Sequence, residues 1–181
     1  MNSKKILIHT CCADCLLKIL SYVDTCNLLT VTCYFYNPNI HPRSEYLARL
    51  LALKEVLKSK YDSKYELIVP DMRPKEYFEK MPSNIKFPEP SIRCPVCWKL
   101  RLEKAFEYAK KNKYDAVTTT LLSSNYQDTE AITKIGNSLA KEYGIKFFVP
   151  EKIDKEMCNH GFYKQNYCGC CYSLVERLTS G

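Results

Sequence analysis

The 181-residue chain reads as one α/β domain: a mainly parallel five-stranded sheet with flanking helices, its active site at the carboxyl ends of strands one and four. Three observations predict this. Short β-branched and aromatic runs alternate with longer stretches of helical periodicity, the pattern of right-handed βαβ crossovers. Hydrophobic residues make up 46% of the chain, which suits a single ordinary core. No internal repeat or low-complexity linker divides it, so residues 1–181 are taken as one domain whose cysteine-rich end, about 152–181, closes the site.

Taken in order, Lys4 to His9 is the first strand, centred on Ile6-Leu7-Ile8, and it ends at a cysteine cluster before a helix over Leu16 to Val23. Leu29 to Tyr36, rich in β-branched and aromatic residues, is the second strand, closed by Asn37-Pro38-Asn39. Arg43 to Lys60 carries Tyr46, Leu50, Leu53, Val56 and Leu57 at helical spacing. Tyr65 to Val69 forms a third strand, and a short helix over Tyr77 to Lys80 precedes a proline-broken loop ending at Pro90. The next helix is expected from Pro95 to Lys111, with Cys94 at its N-terminus, where free N–H groups favour a thiolate. Asp115 to Thr120 is the fourth strand and runs into the polar turn Leu121 to Asp128. A helix over Thr129 to Tyr143 stops at Gly144, and Lys146 to Val149 is the fifth strand. A turn around Asn159-His160-Gly161 and a closing helix over Tyr172 to Leu178 complete the chain.

Seven of the eleven cysteines fall into three tight groups: Cys11, Cys12 and Cys15; Cys94 and Cys97; Cys168 and Cys170. Within each group the sulfurs can reach one ion or cluster, and the groups can meet only if the fold gathers them. No window approaches the roughly 18 apolar residues of a membrane span, and the N-terminus runs into motif before a signal sequence could form, so a soluble cytoplasmic protein is expected. In a reducing cytosol disulfides do not persist, and the odd cysteine count also argues against a closed disulfide framework. The cysteines therefore point to metal ligation or thiol chemistry. A net charge of +7 permits a polyanionic partner without demanding one; the densest basic stretch includes Lys99, Arg101 and Lys104.

Thiolates hold both zinc and iron–sulfur clusters, so a Cys-x-x-Cys pair alone does not choose between them. These ligands come from a strand end, a helix start and a C-terminal turn rather than from a compact zinc ribbon, which favours a site assembled in a cleft. Cys11 and Cys12 are adjacent, and in extended chain their side chains point to opposite faces, so they suit two neighbouring centres, or a larger cluster if the turn bends. Four thiols suffice for a four-iron cluster; three remain for a second metal position, with Asp14 beside them. A zinc-stabilised RNA-binding module without redox activity and a thiol–disulfide relay are the competing readings. Cys26, Cys33 and Cys158 lack cysteine neighbours and read as structural, Cys171 stays ambiguous, and His9, His41 and His160 read equally as structural histidines. With only five glycines, no phosphate-cradling loop is evident.

The combination Leu7-Ile-His9-Thr-Cys11-Cys12-Ala-Asp-Cys15, Phe35-Tyr36-Asn37-Pro38-Asn39-Ile40-His41-Pro42, Glu45-Tyr46, Arg93-Cys94-x-x-Cys97, Arg101-Leu102, Thr118-Thr-Thr120-Leu121, Tyr126-Gln127 and Lys164-Gln165-x-Tyr167-Cys168-Gly169-Cys170 resembles the epoxyqueuosine reductases of the QueH type, in order and over nearly the whole chain. The resemblance implies reduction of the epoxide of epoxyqueuosine at the wobble position of tRNA, a fold like the adenine-nucleotide alpha-hydrolases (HUP-like), and a [4Fe-4S] cluster beside a mononuclear iron. One departure is Asp14, where this family often has proline; it is a second-iron ligand or a helix N-cap, two readings that stay open. The working assignment on that basis is a cluster on Cys11 or Cys12 together with Cys94 and Cys97 and an iron on Cys168 and Cys170, joined by Asp14 in the first of its two readings, with Cys15 among the metal residues. Tyr36, His41 and Tyr167 are the candidate proton donors. Asn37, Asn39, Thr120, Ser123, Tyr126 and Gln127 are expected to touch the substrate, Lys99 and Arg101 the tRNA phosphates, and an external low-potential donor would supply electrons.

Overall fold

In the computed structural model, which describes residues 4–26, 29–84, 87, 89–154 and 161–179, strand β1 (Lys4–His9) leads through Thr10, Cys11 and Cys12 into helix α1 (Ala13–Val23). Strand β2 (Leu29–Tyr34) leads into α2 (Arg43–Ser59), and β3 (Glu66–Ile68) into α3 (Pro74–Lys80) and α4 (Pro90–Lys111). Strand β4 (Ala116–Thr119) continues as a single 3-10 turn, Thr120–Ser123, before α5 (Thr129–Tyr143). After β5 (Lys146–Phe147) the last element is α6 (Cys171–Thr179). The turn expected around Asn159 and His160, and Cys158 with it, lies outside the described residues.

The strands pair in the order β3-β2-β1-β4-β5, every pairing parallel, which is consistent with the HUP-like α/β fold. Strands two and three lie to one side of β1 and strands four and five to the other, so the order reverses between β1 and β4. A crevice opens at the carboxyl ends of the two strands that flank such a reversal. Cys11 follows one of those ends and Thr120 the other.

Burial on both faces follows from the period of two along β1: Ile6 and Ile8 face one apolar layer, Leu7 the other. The first layer packs Leu16 and Leu20 of α1 and Leu53 and Val56 of α2 against Val31 and Phe35. The second packs Leu102 and Phe106 of α4 and Ile132 and Leu139 of α5 against Val117. Helix α5 is bounded as the sequence predicts: Asp128 accepts from the Ala131 N–H at its start, and Gly144 closes it at φ +70°.

Three local expectations change. Helix α1 begins at Ala13 rather than Leu16 with Cys12 as its N-cap residue, so Asp14 lies in the first turn and makes no capping bond. Helix α4 begins at Pro90, not Pro95, because Pro90 already occupies the first-turn position that tolerates a missing N–H. Cys94 therefore sits inside the helix, beyond the N-terminal N–H groups, and burial pushes its thiol up to about 11 instead of down. The outer strands β3 and β5 are only three and two residues long, shorter than their apolar runs. No helix among the described residues is long and apolar enough to cross a membrane.

Candidate metal centre and substrate cavity

Register brings the first pieces of the site together. His9 pairs with Thr119 across β1 and β4, and its Nδ1 lies 2.8 Å from the Thr119 hydroxyl while Nε2 lies 3.3 Å from the Tyr36 carbonyl. A carbonyl only accepts, so Nε2 carries the proton and Nδ1 accepts from Thr119. Full burial, reinforced by the charge of Arg101, lowers the His9 pKa to about 3 and keeps the ring neutral. His9 is thus a fixed strut behind the cysteine turn.

In that turn the Cys11, Cys12 and Cys15 sulfurs are buried and all within 4.8 Å of one another. The Cys11 and Cys12 sulfurs are 3.8 Å apart. They converge, contrary to the strand-like expectation, because both residues lie beyond the end of β1, where the alternation of an extended chain no longer holds. Contacts from the Cys12 and Cys15 thiols, helped by Arg101 and the Thr120 hydroxyl, hold Cys11 well below the ordinary thiol range despite burial. Sharing that proton pushes Cys12 up to about 12 and Cys15 up as well. Within the trio, Cys11 is thus the sulfur that most favours the thiolate form.

All seven clustered cysteines except Cys12 line one cavity of about 820 Å³, and Cys12 lies directly behind it within the trio. Cys94 and Cys97 reach it from α4, one helical turn apart. Cys168 and Cys170 approach from the C-terminal loop with their sulfurs 3.5 Å apart. Its contacts with the Cys170 thiol and the Ser173 hydroxyl bring Cys168 down to about 7, while the contact with Cys168 raises Cys170. Six cationic side chains line the cavity, Lys18, Arg49, Arg93, Arg101, Lys164 and Arg177, against one carboxylate, Asp14. Such a lining suits anionic occupants.

Asp14 is 6% exposed, with Lys18 at 3.4 Å and Lys164 at 3.7 Å. Its Oδ1 and the Oδ1 of Asn39 are buried without a hydrogen-bond donor among the described residues. Arg101 is buried at 4% exposure, donates to Asn37 Oδ1 at 2.7 Å and lies 3.9 Å from Cys97 Sγ. The guanidinium therefore sits in the buried wall of the cavity, held by Asn37, rather than on an exposed basic face. Lys99 is exposed but does not line the cavity.

Among the remaining predicted residues, Asn39, Ser123, Tyr126, Gln127 and Tyr167 line the cavity. Ser123 donates to the Cys15 and Thr120 carbonyls, Gln127 accepts from Trp98 Nε1 at 2.7 Å, and Tyr126 is 95% exposed at the rim. Asn37 lies behind the wall, its amide donating to the Thr10 carbonyl. Tyr36 is not in the wall; its hydroxyl donates to Glu76 beside a separate cavity of about 390 Å³. His41 is also outside the wall, with Nδ1 2.8 Å from the Asn39 carbonyl and its ring against Phe78.

The sequence reading missed Arg49, Trp98, Tyr77 and Lys18, all of which line the cavity. For Arg49 a signal existed: an arginine four residues after Glu45 within an apolar helical stretch is an ion pair carried into the core.

The family model described as "Epoxyqueuosine reductase QueH" matches residues 6–176. Among curated proteins, the chain is 33% identical over 181 residues to the "Epoxyqueuosine reductase QueH" of Haemophilus influenzae, covering 95% of this chain and 72% of that one. The Thermotoga maritima protein of the same name is 33% identical over 188 residues, covering 95% and 91% of the two chains. That of Dehalococcoides mccartyi is 32% identical over 184 residues, covering 96% and 94%.

Proposed function

The chain belongs to the epoxyqueuosine reductase QueH family, a family of tRNA-modifying oxidoreductases, and on that premise we propose that its cysteine-lined cavity is where epoxyqueuosine in tRNA is reduced to queuosine. The observation that carries this reading is the convergence of six thiols from three distant segments on one cavity with a cationic lining, with Cys12 beside two of them.

The donor set fits the expected metal groups. Tetrahedral metal–thiolate bonds of about 2.3 Å put two sulfurs on one ion about 3.8 Å apart. The 3.5 Å between Cys168 and Cys170 suits a single iron, with Asp14 as a further ligand on the same cavity. Arg101 lies between the groups, 3.9 Å from Cys97 Sγ and acted on by the charges of Cys97, Cys11 and Cys168, which places sulfurs from all three segments around one guanidinium. In this reading Cys94 and Cys97 with Cys11 or Cys12 would hold the [4Fe-4S] cluster and Cys168 and Cys170 with Asp14 the iron, while Cys15, within 4.8 Å of Cys11 and Cys12, would stand on the cysteine-turn side of the site. When bound, the cluster supplies electrons singly and the iron a Lewis acid for the epoxide oxygen.

The net change removes the epoxide oxygen as water, consumes two electrons and two protons, and leaves an alkene. The chain's own groups bind and position the substrate for it. Asn39, Ser123 and Gln127 offer polar contacts to the modified base, and the exposed Tyr126 offers a face for stacking. The exposed Lys164 and Arg177 at the rim suit the tRNA phosphates better than Lys99, which lies away from the cavity. Of the three candidate proton donors, only Tyr167 lines the cavity; burial beside Glu45 pushes its hydroxyl up to about 12, and because that hydroxyl donates to the His41 carbonyl it would serve the substrate only by leaving that bond. Electrons would come from an external low-potential donor, in the cytoplasm.

Anaerobic purification tests the reading. The protein should be brown, contain acid-labile sulfide and more iron than sulfide, and convert epoxyqueuosine-containing tRNA when reduced. Colourless protein with zinc and no sulfide would instead indicate a zinc-stabilised RNA-binding module. Cys94→Ala or Cys97→Ala protein that retained a full cluster would overturn the ligand assignment.

A further inference from the structure

The geometry points to Arg49 as the positioning residue that shapes the Cys168-Gly169-Cys170 loop for its metal, an inference that rests on the ligand role proposed for that loop. Arg49 lies on α2, far from the loop in sequence, and is 2% exposed. Its Nε donates to Glu45 Oε1 at 2.6 Å, one turn earlier on the same helix. The other two nitrogens leave the helix: one donates to the Cys168 carbonyl at 3.2 Å, the other to the Tyr167 carbonyl at 3.1 Å. The guanidinium also lies over the Tyr167 ring, 5.6 Å from its centre.

This arrangement needs arginine in particular. A rigid planar fork can bind two consecutive carbonyls at once, which fixes the peptide plane between them; an ammonium acts as a point charge and cannot. Buried without a counter-charge, the guanidinium would be strongly destabilising, and Glu45 offsets that. Glu45 is in turn held from the loop side, where it accepts from the Tyr163 hydroxyl.

The opposite edge of the loop is held by backbone as well. The His41 N–H donates to the Gly169 carbonyl at 2.7 Å, and the Tyr167 hydroxyl donates to the His41 carbonyl at 2.6 Å. Gly169 has φ +106°, and a Cβ there would come within 3.0 Å of the Arg49 guanidinium. Guanidinium and glycine are therefore fitted to each other. Because every one of these contacts is to the loop's backbone or flanking tyrosines, the Cys168 and Cys170 sulfurs are spaced without being consumed as structural partners of Arg49. Groups that orient metal ligands from outside typically contribute 10- to 100-fold in metal affinity.

Iron and acid-labile sulfide measured on anaerobically purified wild type, Arg49→Met, Arg49→Lys and Cys170→Ser, with chelator competition for the iron, test the inference. Both Arg49 variants should lose about one iron per chain, bind that iron about 10- to 100-fold more weakly, and keep their sulfide and far-ultraviolet circular dichroism. Folded Arg49 variants that hold all their iron at wild-type affinity would overturn the inference. So would iron and sulfide falling together, since Arg49 would then serve the fold at large rather than this loop. Cys170→Ser separates the two readings: if it keeps every iron, the loop is not a ligand and the proposed centre fails, whatever the Arg49 variants do. Should neither Arg49 variant fold, Gly169→Ala decides, because it displaces the loop from the guanidinium: loss of the one iron supports the inference and retention overturns it.

Discussion

The Thr120 hydroxyl donates to Cys11 Sγ at 3.2 Å and accepts the Cys11 backbone N–H at 3.1 Å, so one side chain from beyond β4 holds both ends of a cysteine from beyond β1. This clamp bridges the two strands at which the sheet order reverses. Thr120→Val keeps the shape and removes both bonds. It should cost about 1–3 kcal/mol by stranding a buried N–H, with a drop in Tm of about 2–4 °C per kcal/mol. Thr120→Ser, which keeps the hydroxyl, should melt near wild type.

Arg101 offers a charge test. Arg101→Met leaves Asn37 Oδ1 without its donor and removes the buried cation near Cys11 and Cys97. Urea unfolding should show a loss of about 1–3 kcal/mol. Cluster loss to a chelator should quicken about tenfold, and an unchanged rate would sink the role given to Arg101.

Alkaline stability should report Cys33, which is wholly buried and whose thiol burial pushes up to about 12. The unfolded chain loses this proton near pH 8.5 while the folded protein keeps it. The folded pKa is the higher of the two, so the stability is fully present below about pH 8.5 and is lost as pH rises towards 12, at up to about 1.4 kcal/mol per pH unit. Unfolding of wild type and Cys33→Ala compared between pH 8 and 10.5 should show a shallower decline in the variant.

Gly136 on α5 lies against β5. A Cβ there would come within 2.4 Å of the Phe147 ring, so Gly136→Ala should destabilise by about 1–3 kcal/mol through overpacking. Phe147→Leu in the same chain should recover part of that loss, and a double-mutant cycle by thermal melting would measure the coupling.

How much of this was legible in the sequence depended on how local the cause was. Helix α5 could be bounded closely because Asp128 and Gly144 are themselves its end signals. The three cysteine groups were visible because ligand spacing is short-range. Helix α4 was started five residues late because two prolines competed for one role, and only packing shows that Pro90 takes it and Pro95 is carried inside. Tyr36 and His41 sit beside the right motifs yet turn to Glu76 and Asn39, partners that adjacency in sequence does not reveal. Arg49 was missed for the same reason, since its carbonyl partners lie 118 and 119 residues away.

The distance along the chain between the cysteine groups also fixes an order of assembly. The turn at Cys11 leaves the ribosome early, but the last two thiols of the cavity arrive only with residues 168 and 170, after every strand has been made. A growing chain therefore cannot present all the cavity's thiols until that loop is made, and the loop docks onto a helix, α2, finished more than a hundred residues before. A chain truncated before that loop can therefore contain the whole sheet and still lack two of the thiols that line the cavity.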